Sequence, residues 1–552
     1  MLRTPVENPL IPADTSRVAT AIFPEGNLIM RIRDTLGALF QTADFAPLFP
    51  ALGQPALDPA RLALVTVLQF LEGLSDRQAA ENVRRCIDWK YALALPLEDP
   101  GFDASVLSEF RTRLITGHAE HVLFDTLLIR LQERGLLKAR GRQRTDSTHV
   151  LAAIRTLNRL TCVGETVRYA LNDLATVAPD WLQRQITPDW FDRYSHRLED
   201  YRLPSTQEER HQLAVTIGQD GFSLLTAVYA PTAPVGLRER PAVEVLRRVW
   251  MQQYYAPAPE VHWRTVEDVP PHALLICSPY DVDARYATKR ETHWTGYKVH
   301  LTETCDEESP HLITNVETTP ATTTDVEVTP IIHTHLAVHG LLPRDHLLDT
   351  GYIDAAHLVD SRLTHTVELV GPVLPDTSWQ ARSPEGFDVA CFAIDWGAQT
   401  VTCPQGHRSR RWTPTQDSQH GGQELIAIQF DPAHCAVCPV RARCTQAKTG
   451  PRTMKLRPQP QHEALQAARQ CQTTPAFQAA YAARAGVEGT LSQGTRAFSL
   501  RQTRYIGLAK THLQHLLIAM AMNLVRVAAW LVETPRAPTR LSPFAALAGA
   551  CG

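Results

Sequence analysis

Arg144-Thr-Asp-Ser-Thr-His149 is the stretch on which the fold turns, and it lies in a longer run, Arg142 to Leu151, that reads as a β-strand. It carries one acid, Asp146, behind a β-branched residue. A second phrase, Leu347-Leu-Asp-Thr-Gly-Tyr352, puts Asp349 behind two aliphatic residues, as at the end of a buried strand. A third, Gly486-Val-Glu-Gly-Thr490, puts Glu488 in a stretch expected to be helical. Three hard oxygen ligands from separate elements are what Mg²⁺ chemistry on phosphates requires. An Asp at a strand end is a short, rigid ligand, and a Glu on a neighbouring helix reaches one methylene further. Any one of these acids, taken alone, is more often a cap or turn residue. Asp146-Ser-Thr is also similar to the nucleophile of haloacid-dehalogenase-like phosphatases. Those enzymes need a second Asp two positions on, and here that position is Thr148.

Working outward, Ile32 to Leu137 reads as all-helical. Ala60 to Leu74 has apolar residues at helical spacing, Ser75-Asp76 is placed to cap a helix running toward Trp89, and Ser105 to Leu114 and Glu120 to Arg134 follow. Gly135 is a suitable stop for the last. Short helices about a tight turn fit a helix-turn-helix arrangement, though most small helical domains share that pattern. After the strand bearing Asp146 comes a mostly helical stretch, Ile154 to Val269, broken by prolines. Strands are expected at Gly296 to Thr302, His311 to Glu317, His346 to Asp349 and Thr366 to Val373, with a helix over Asp325 to Leu336. With the insert set aside, this order is that of a mixed sheet with crossover helices.

At 552 residues, 44% hydrophobic and 20% charged, the chain is expected to be a soluble globular protein of several domains. Its net charge of −3 hides basic clusters. Lys138, Arg140, Arg142 and Arg144 alternate and would share one face of a strand; Arg441, Arg443, Lys448, Arg452, Lys455 and Arg457 run without an acid between them; Arg496, Arg501, Arg504 and Lys510 follow Glu488. Each cluster alone is best taken as a solvated face. Their nearness to the special acids and to the cysteines favours phosphate contacts. Met1 to Thr15 lacks an apolar core, so no signal peptide is expected. Leu513 to Leu531 is apolar but contains Asn523 and Arg526, and reads as a core helix rather than a membrane span.

Most of the 11 cysteines are scattered, as suits a reducing cytoplasm. Cys435-Ala-Val-Cys438 has zinc-knuckle spacing, and Cys403 and Cys444 could complete a structural Zn²⁺ site, with His407 and His434 as substitutes. The competing reading is a set of free reduced thiols.

Thr145-Asp-Ser-Thr148, Thr295-Gly-Tyr-Lys-Val-His300, Leu348-Asp-Thr-Gly-Tyr352, Arg484-Ala-Gly-Val-Glu488 and the ending Leu516 to Leu524 together resemble the DDE transposases of bacterial insertion sequences, specifically the insertion sequence 1182 group. The resemblance covers nearly the whole chain. It implies an all-helical N-terminal transposase or DNA-binding domain over 1–137 and an RNase H-like α/β catalytic domain over 138–535. That domain would be interrupted by a helical insertion (154–290) and a Cys-rich insertion (385–460), with a flexible tail at 536–552. It implies Asp146, Asp349 and Glu488 as the catalytic, metal-holding acids, with two Mg²⁺ or Mn²⁺ ions. Lys298 is expected to touch a phosphate. His300 is expected to be a hydrogen-bonded core histidine, with orienting the site as the alternative, and Asp325 a helix-start cap, with a metal role as the alternative. Related enzymes carry a Lys seven positions beyond the Glu; here Thr495 stands there, and Arg496, Arg504 or Lys510 would have to take its part.

The expected function is a transposase that binds its element's terminal inverted repeats, cuts the DNA with the aid of metal ions and joins the freed 3′-hydroxyl to target DNA. Double-stranded DNA would be its partner, Arg142, Arg144, Lys298, Arg496, Arg504 and Lys510 its phosphate contacts, and a dimer its synaptic form, in the cytoplasm and without a membrane. The alternatives are a domesticated DNA-binding protein without catalysis, and an RNase H-like nuclease without strand transfer.

Overall fold

The computed structural model describes residues 2, 9–256, 260–417 and 422–534. The tail expected at 536–552 lies outside the described residues.

The N-terminal part is helical throughout. Helix α1 (Pro59–Leu71) is followed by a turn through Gly73 and by α2 (Asp76–Arg85), whose N-cap Ser75 forms a reciprocal capping box with Gln78. Helices α3 (Ser105–Thr116) and α4 (Glu120–Glu133) complete the run, and Gly135 follows in the left-handed region at φ +69°.

The chain then enters β1 (Arg142–Leu151), the middle of a six-stranded sheet. On one side β1 pairs antiparallel with β3 (Thr292–Thr304). The far edge of β3 is shared end to end by β2 (Arg285–Lys289) and β4 (Ile313–Pro320). On its other side β1 pairs parallel with β5 (Asp345–Leu347), which pairs parallel with β6 (Glu368–Val370). Four strands joined antiparallel, β1 to β4, continued by two parallel ones make a mixed sheet, and each parallel strand is reached through a helix, α8 (Asp325–Val338) or α9 (Ala355–His365). β2 begins at Arg285, inside the span read as the 154–290 insertion, so those residues belong to the sheet.

The basic alternation before Asp146 does not form one face. The strand starts only at Arg142; Arg140 sits in the left-handed region at φ +61° and donates to the carbonyls of His365 and Thr366.

Helix α11 (Leu508–Leu531) explains how the two ends of the chain meet. It is apolar on most of its surface, so most of it must be covered. It packs on β4 with one face and on α1 and α4 with another. Asn523, fully buried, accepts from the Ile313 amide and donates to its carbonyl, finishing that strand's backbone bonding from the helix. Among the described residues α11 is the one helix long and apolar enough to cross a membrane, and most of it is buried in this core. One continuous core therefore runs from Ile29 in the N-terminal helices through the sheet to Val527.

The helical insertion has a core of its own, built from α5 (Arg159–Val177), α6 (Gln207–Tyr229) and α7 (Pro241–Gln253) around Trp250 and Tyr254. Gly221 on α6 is required there, because a Cβ would fall 2.0 Å from the Trp250 ring. The Cys-rich stretch is a small β module with strands Arg411–Asp417, Gln423–Gln429 and Thr453–Leu456, over a minimal core of Phe392, Val401, Ile428 and Phe430.

Candidate active site

Strand register brings the first two acids together. Arg144 on β1 pairs with Leu347 on β5. Continued two residues past the end of β5, that parallel register sets Asp146 beside Asp349. Asp146 accepts from the Ser147 amide at 2.8 Å through Oδ1. Asp349 is the N-cap of a short turn, Thr350–Tyr352, and accepts from the Thr350 amide at 2.7 Å, also through Oδ1. Each carboxylate is thus steadied by one oxygen. Asp349 is exposed, and Asp146 is mostly buried.

Glu488 comes from the other direction, in the first turn of α10 (Gly486–Phe498). A buried ion network sets that turn. Glu303 of β3, fully enclosed, receives Arg144 and Arg526 at 2.7 Å each and the Thr490 hydroxyl at 2.6 Å. Arg144 also donates to the Ala483 carbonyl, and a Cβ at Gly486 would fall 2.1 Å from its Nη1. Gly486 therefore lets the guanidinium lie against the start of the helix that carries Glu488. Burial alone would raise Glu303, but the Arg526 and Arg144 charges outweigh it and hold the carboxyl below its usual range.

Asp146, Asp349 and Glu488 line one open cleft with Ser147, Lys289, Arg290, Lys298, Arg484 and Arg501. Arg484 stands between the acids: its Nη2 is 3.0 Å from Asp146 and its Nη1 3.9 Å from Glu488, while its Nε is buried without a partner. Burial pushes the Asp146 carboxyl above its ordinary range, outweighing the Arg484 charge that favours ionisation. Among the described residues no three His, Cys, Asp or Glu side chains stand as a ready metal-holding group. The donor set still suits a divalent cation: it is all hard oxygen, and two of its three members already share a positive stand-in, the Arg484 guanidinium.

The expected phosphate contacts divide. Arg144 is buried against Glu303, and Arg142 is partly buried and donates to the Ala480 carbonyl, so Arg144 is withdrawn as a DNA contact and Arg142 is tied down. Lys298 lies in the cleft, yet its ammonium is engaged by the Thr323 carbonyl at 2.7 Å and by Asp325 at 3.2 Å. Arg504 is exposed but docks on the N-terminal helices, donating to the Leu74 carbonyl and lying over the Phe70 ring. Arg496 and Lys510 are exposed outside the residues that line the cleft. The cap of α8 is Thr324, not Asp325; the Asp325 carboxylate instead accepts from the Lys298 ammonium at 3.2 Å and from the Ser147 hydroxyl at 3.4 Å. His300 is fully buried, hydrogen-bonded to Tyr352 at 2.7 Å, and lowered by burial to about 4.

Sequence reasoning assigned no role to Lys289, Arg290, Arg484 or Tyr481. Arg484 lay inside a quoted phrase one helical turn before Glu488. Tyr481 feels the charges of Arg484 and all three acids, and burial raises its hydroxyl. Lys289 and Arg290 are a dibasic pair at a hairpin tip, a signal visible only once β2 and β3 are recognised as partners.

Cys403, Cys435, Cys438 and Cys444 line one small cavity of about 30 Å³ with His407 and His434, whose rings stack at 4.4 Å. Burial raises the Cys444 thiol, and the other three cysteines raise it further. These thiols do not stand as a ready metal-holding group either, so the geometry as it stands gives zinc no support.

Residues 402–528 match the family described as Transposase DDE domain, and residues 17–113 match Transposase domain (DUF772). The first match takes in the four clustered cysteines, Glu488 and most of α11; Asp146 and Asp349 precede it. No curated protein matches the chain.

Proposed function

We propose that this chain, identified by its two family matches as a DDE transposase of an insertion sequence, cuts DNA at the ends of its element and joins them to a target through Asp146, Asp349 and Glu488. The insertion sequence 1182 group is consistent with that pairing of matches. The observation that carries the reading is the meeting of three acids from β1, the end of β5 and α10 in one cation-lined cleft.

Asp146, Asp349 and Glu488 would hold Mg²⁺ or Mn²⁺. Bound there, such ions supply an activated water or 3′-hydroxyl and neutralise the leaving oxygen of an in-line displacement at phosphorus. The chain's own part is placement. The Ser147 and Thr350 amides each fix one oxygen of an Asp, and Arg484 meets the other oxygen of Asp146. The Glu303 network holds the first turn of α10, and so the base of Glu488, against the sheet. In cleavage the nucleophile is water and one P–O bond breaks, freeing a 3′-hydroxyl. In joining, that hydroxyl attacks a target phosphate and a second 3′-oxygen leaves. Binding of the terminal inverted repeats, a dimeric synaptic complex and action on DNA in the cytoplasm belong to the same proposal. For the cysteine module we propose a structural zinc set, on the zinc-knuckle spacing of Cys435 and Cys438.

The test is an assay with DNA ends of the element, Mg²⁺ or Mn²⁺, and a target duplex. Cut ends with joined product support the reading. Cut ends alone would make the protein a nuclease, and binding without cutting a non-catalytic DNA-binding protein.

A further inference from the structure

We infer that the tip of the β2–β3 hairpin, Lys289 and Arg290, is the phosphate grip at the mouth of the cleft. The inference rests on the reading that the cleft acts on DNA. Of the five cations lining the cleft, three are already engaged: Arg484 by Asp146 and Glu488, Lys298 by Asp325 and the Thr323 carbonyl, and Arg501 by the Thr148 hydroxyl at 2.7 Å. The Lys289 and Arg290 side chains are exposed and make no hydrogen bond or ion pair among the described residues. They are the cations left to meet an anion arriving from solvent, with Glu291 the one acid beside them in the loop.

The backbone supports the same view. Lys289 pairs with Thr292, so the loop is the two residues Arg290 and Glu291. Arg290 sits at φ +56°, where a two-residue hairpin ordinarily uses Gly. A long basic side chain held in a left-handed position at a solvent-exposed tip is the kind of local strain that marks a working residue. The tip is also tied firmly to the acids. β3 runs from the hairpin to Leu301, the antiparallel partner of Asp146. At Gly296 it exchanges β2 for β4, and the missing Cβ there lets it lie against the Val150 carbonyl. One strand thus links the grip to the site of cutting.

Each phosphate neutralised on duplex DNA contributes about 0.9 to the slope of log affinity against log salt. The full-length protein is titrated with a mixed-sequence duplex in Ca²⁺, between about 50 and 200 mM salt, with a cleavage assay in Mg²⁺ run in parallel. For Lys289→Gln with Arg290→Gln the slope is expected to fall in magnitude by about 1.8, twice the single-contact value, with an unchanged melting curve. Arg290→Gly, which suits the left-handed position, should lower it by about 0.9. Arg362→Gln, outside the cleft and already paired with Glu368, should leave it unchanged. Hairpin variants that keep the wild-type slope overturn the inference. Wild-type protein that binds but does not cut would instead overturn the catalytic reading, and the slope would still decide the hairpin.

Discussion

Arg484 Nη2 lies 3.0 Å from Asp146 Oδ2, so the carboxylate at the centre of the sheet is met by a guanidinium rather than by solvent. The same side chain reaches 3.9 Å to Glu488. Two like-charged acids brought this close need a counter-charge, and the chain supplies one. A divalent cation arriving at these oxygens competes with it.

Replacing Arg484 with Gln should therefore strengthen Mn²⁺ binding to the DNA-free protein by about tenfold, the worth of one charge-assisted hydrogen bond. The melting temperature without metal should fall, because the acids then repel. Calorimetric titration with Mn²⁺ checks the first and thermal denaturation the second. Unchanged or weaker Mn²⁺ affinity would mean that the guanidinium does not occupy the ions' place.

Asp146→Asn and Asp349→Asn should each lower cleavage by about a thousandfold, the equivalent of the several kcal/mol a metal ion contributes to stabilising charge in the transition state. DNA binding should survive, since neither acid contacts phosphate. A variant that cuts at the normal rate in Mg²⁺ would remove that acid from the site.

The legible parts of this protein were those that depend on local pattern. The strand over Arg142–Leu151 and the Ser75 cap stand where residue type put them. Asp349 needed more: the sequence placed it at the end of a strand, but only the register of β5 on β1 sets it beside Asp146. Long-range charge pairing stayed hidden. Arg144 looks like a phosphate contact in sequence because its partner, Glu303, is on another strand. The shared core of the two ends was hidden for the same reason, since a mostly apolar helix such as α11 does not name the elements that will cover it. Hairpin cations were missed because β2 was read as part of the helical insertion.

Cys435→Ser with Cys438→Ser should destabilise the module over 393–456, seen as faster proteolysis there while the sheet core stays protected. Metal analysis of the purified protein should find about one zinc per chain in the wild type and none in the variant. A zinc-free wild type would leave the four thiols as ordinary packing around a small cavity.

Arg144→Met should cost about 3 kcal/mol of stability, because it strips a partner from a carboxylate that has no access to water. Arg504→Gln, at the exposed contact with Leu74, should cost less than about 1 kcal/mol. Urea denaturation of both variants gives the comparison. Equal losses would mean that Glu303 finds solvent or another donor once Arg144 is gone.

Acid should loosen this fold before it protonates most carboxylates. His300, His333 and His512 are lowered to about 4, each first by burial; His512 also faces His121, with their Nε2 atoms 3.0 Å apart. Two imidazole nitrogens at that distance cannot both carry protons without repulsion, so the pair holds at most one easily. The sign follows from the depressed folded values: the unfolded chain takes up these protons near pH 6.5 and the folded one only near 4. Stability is therefore full above about pH 6.5 and is lost as pH falls toward 4, each group contributing roughly 3 kcal/mol across the window. His335 works the other way, since its bond to Glu317 raises it and favours the folded state while it stays protonated. Melting temperatures measured from pH 8 to pH 4 should decline from near pH 6.5 downward, and His512→Gln should flatten that decline. A curve flat to pH 5 would mean that these imidazoles reach solvent or rearrange without disturbing the packing of α11 on α4.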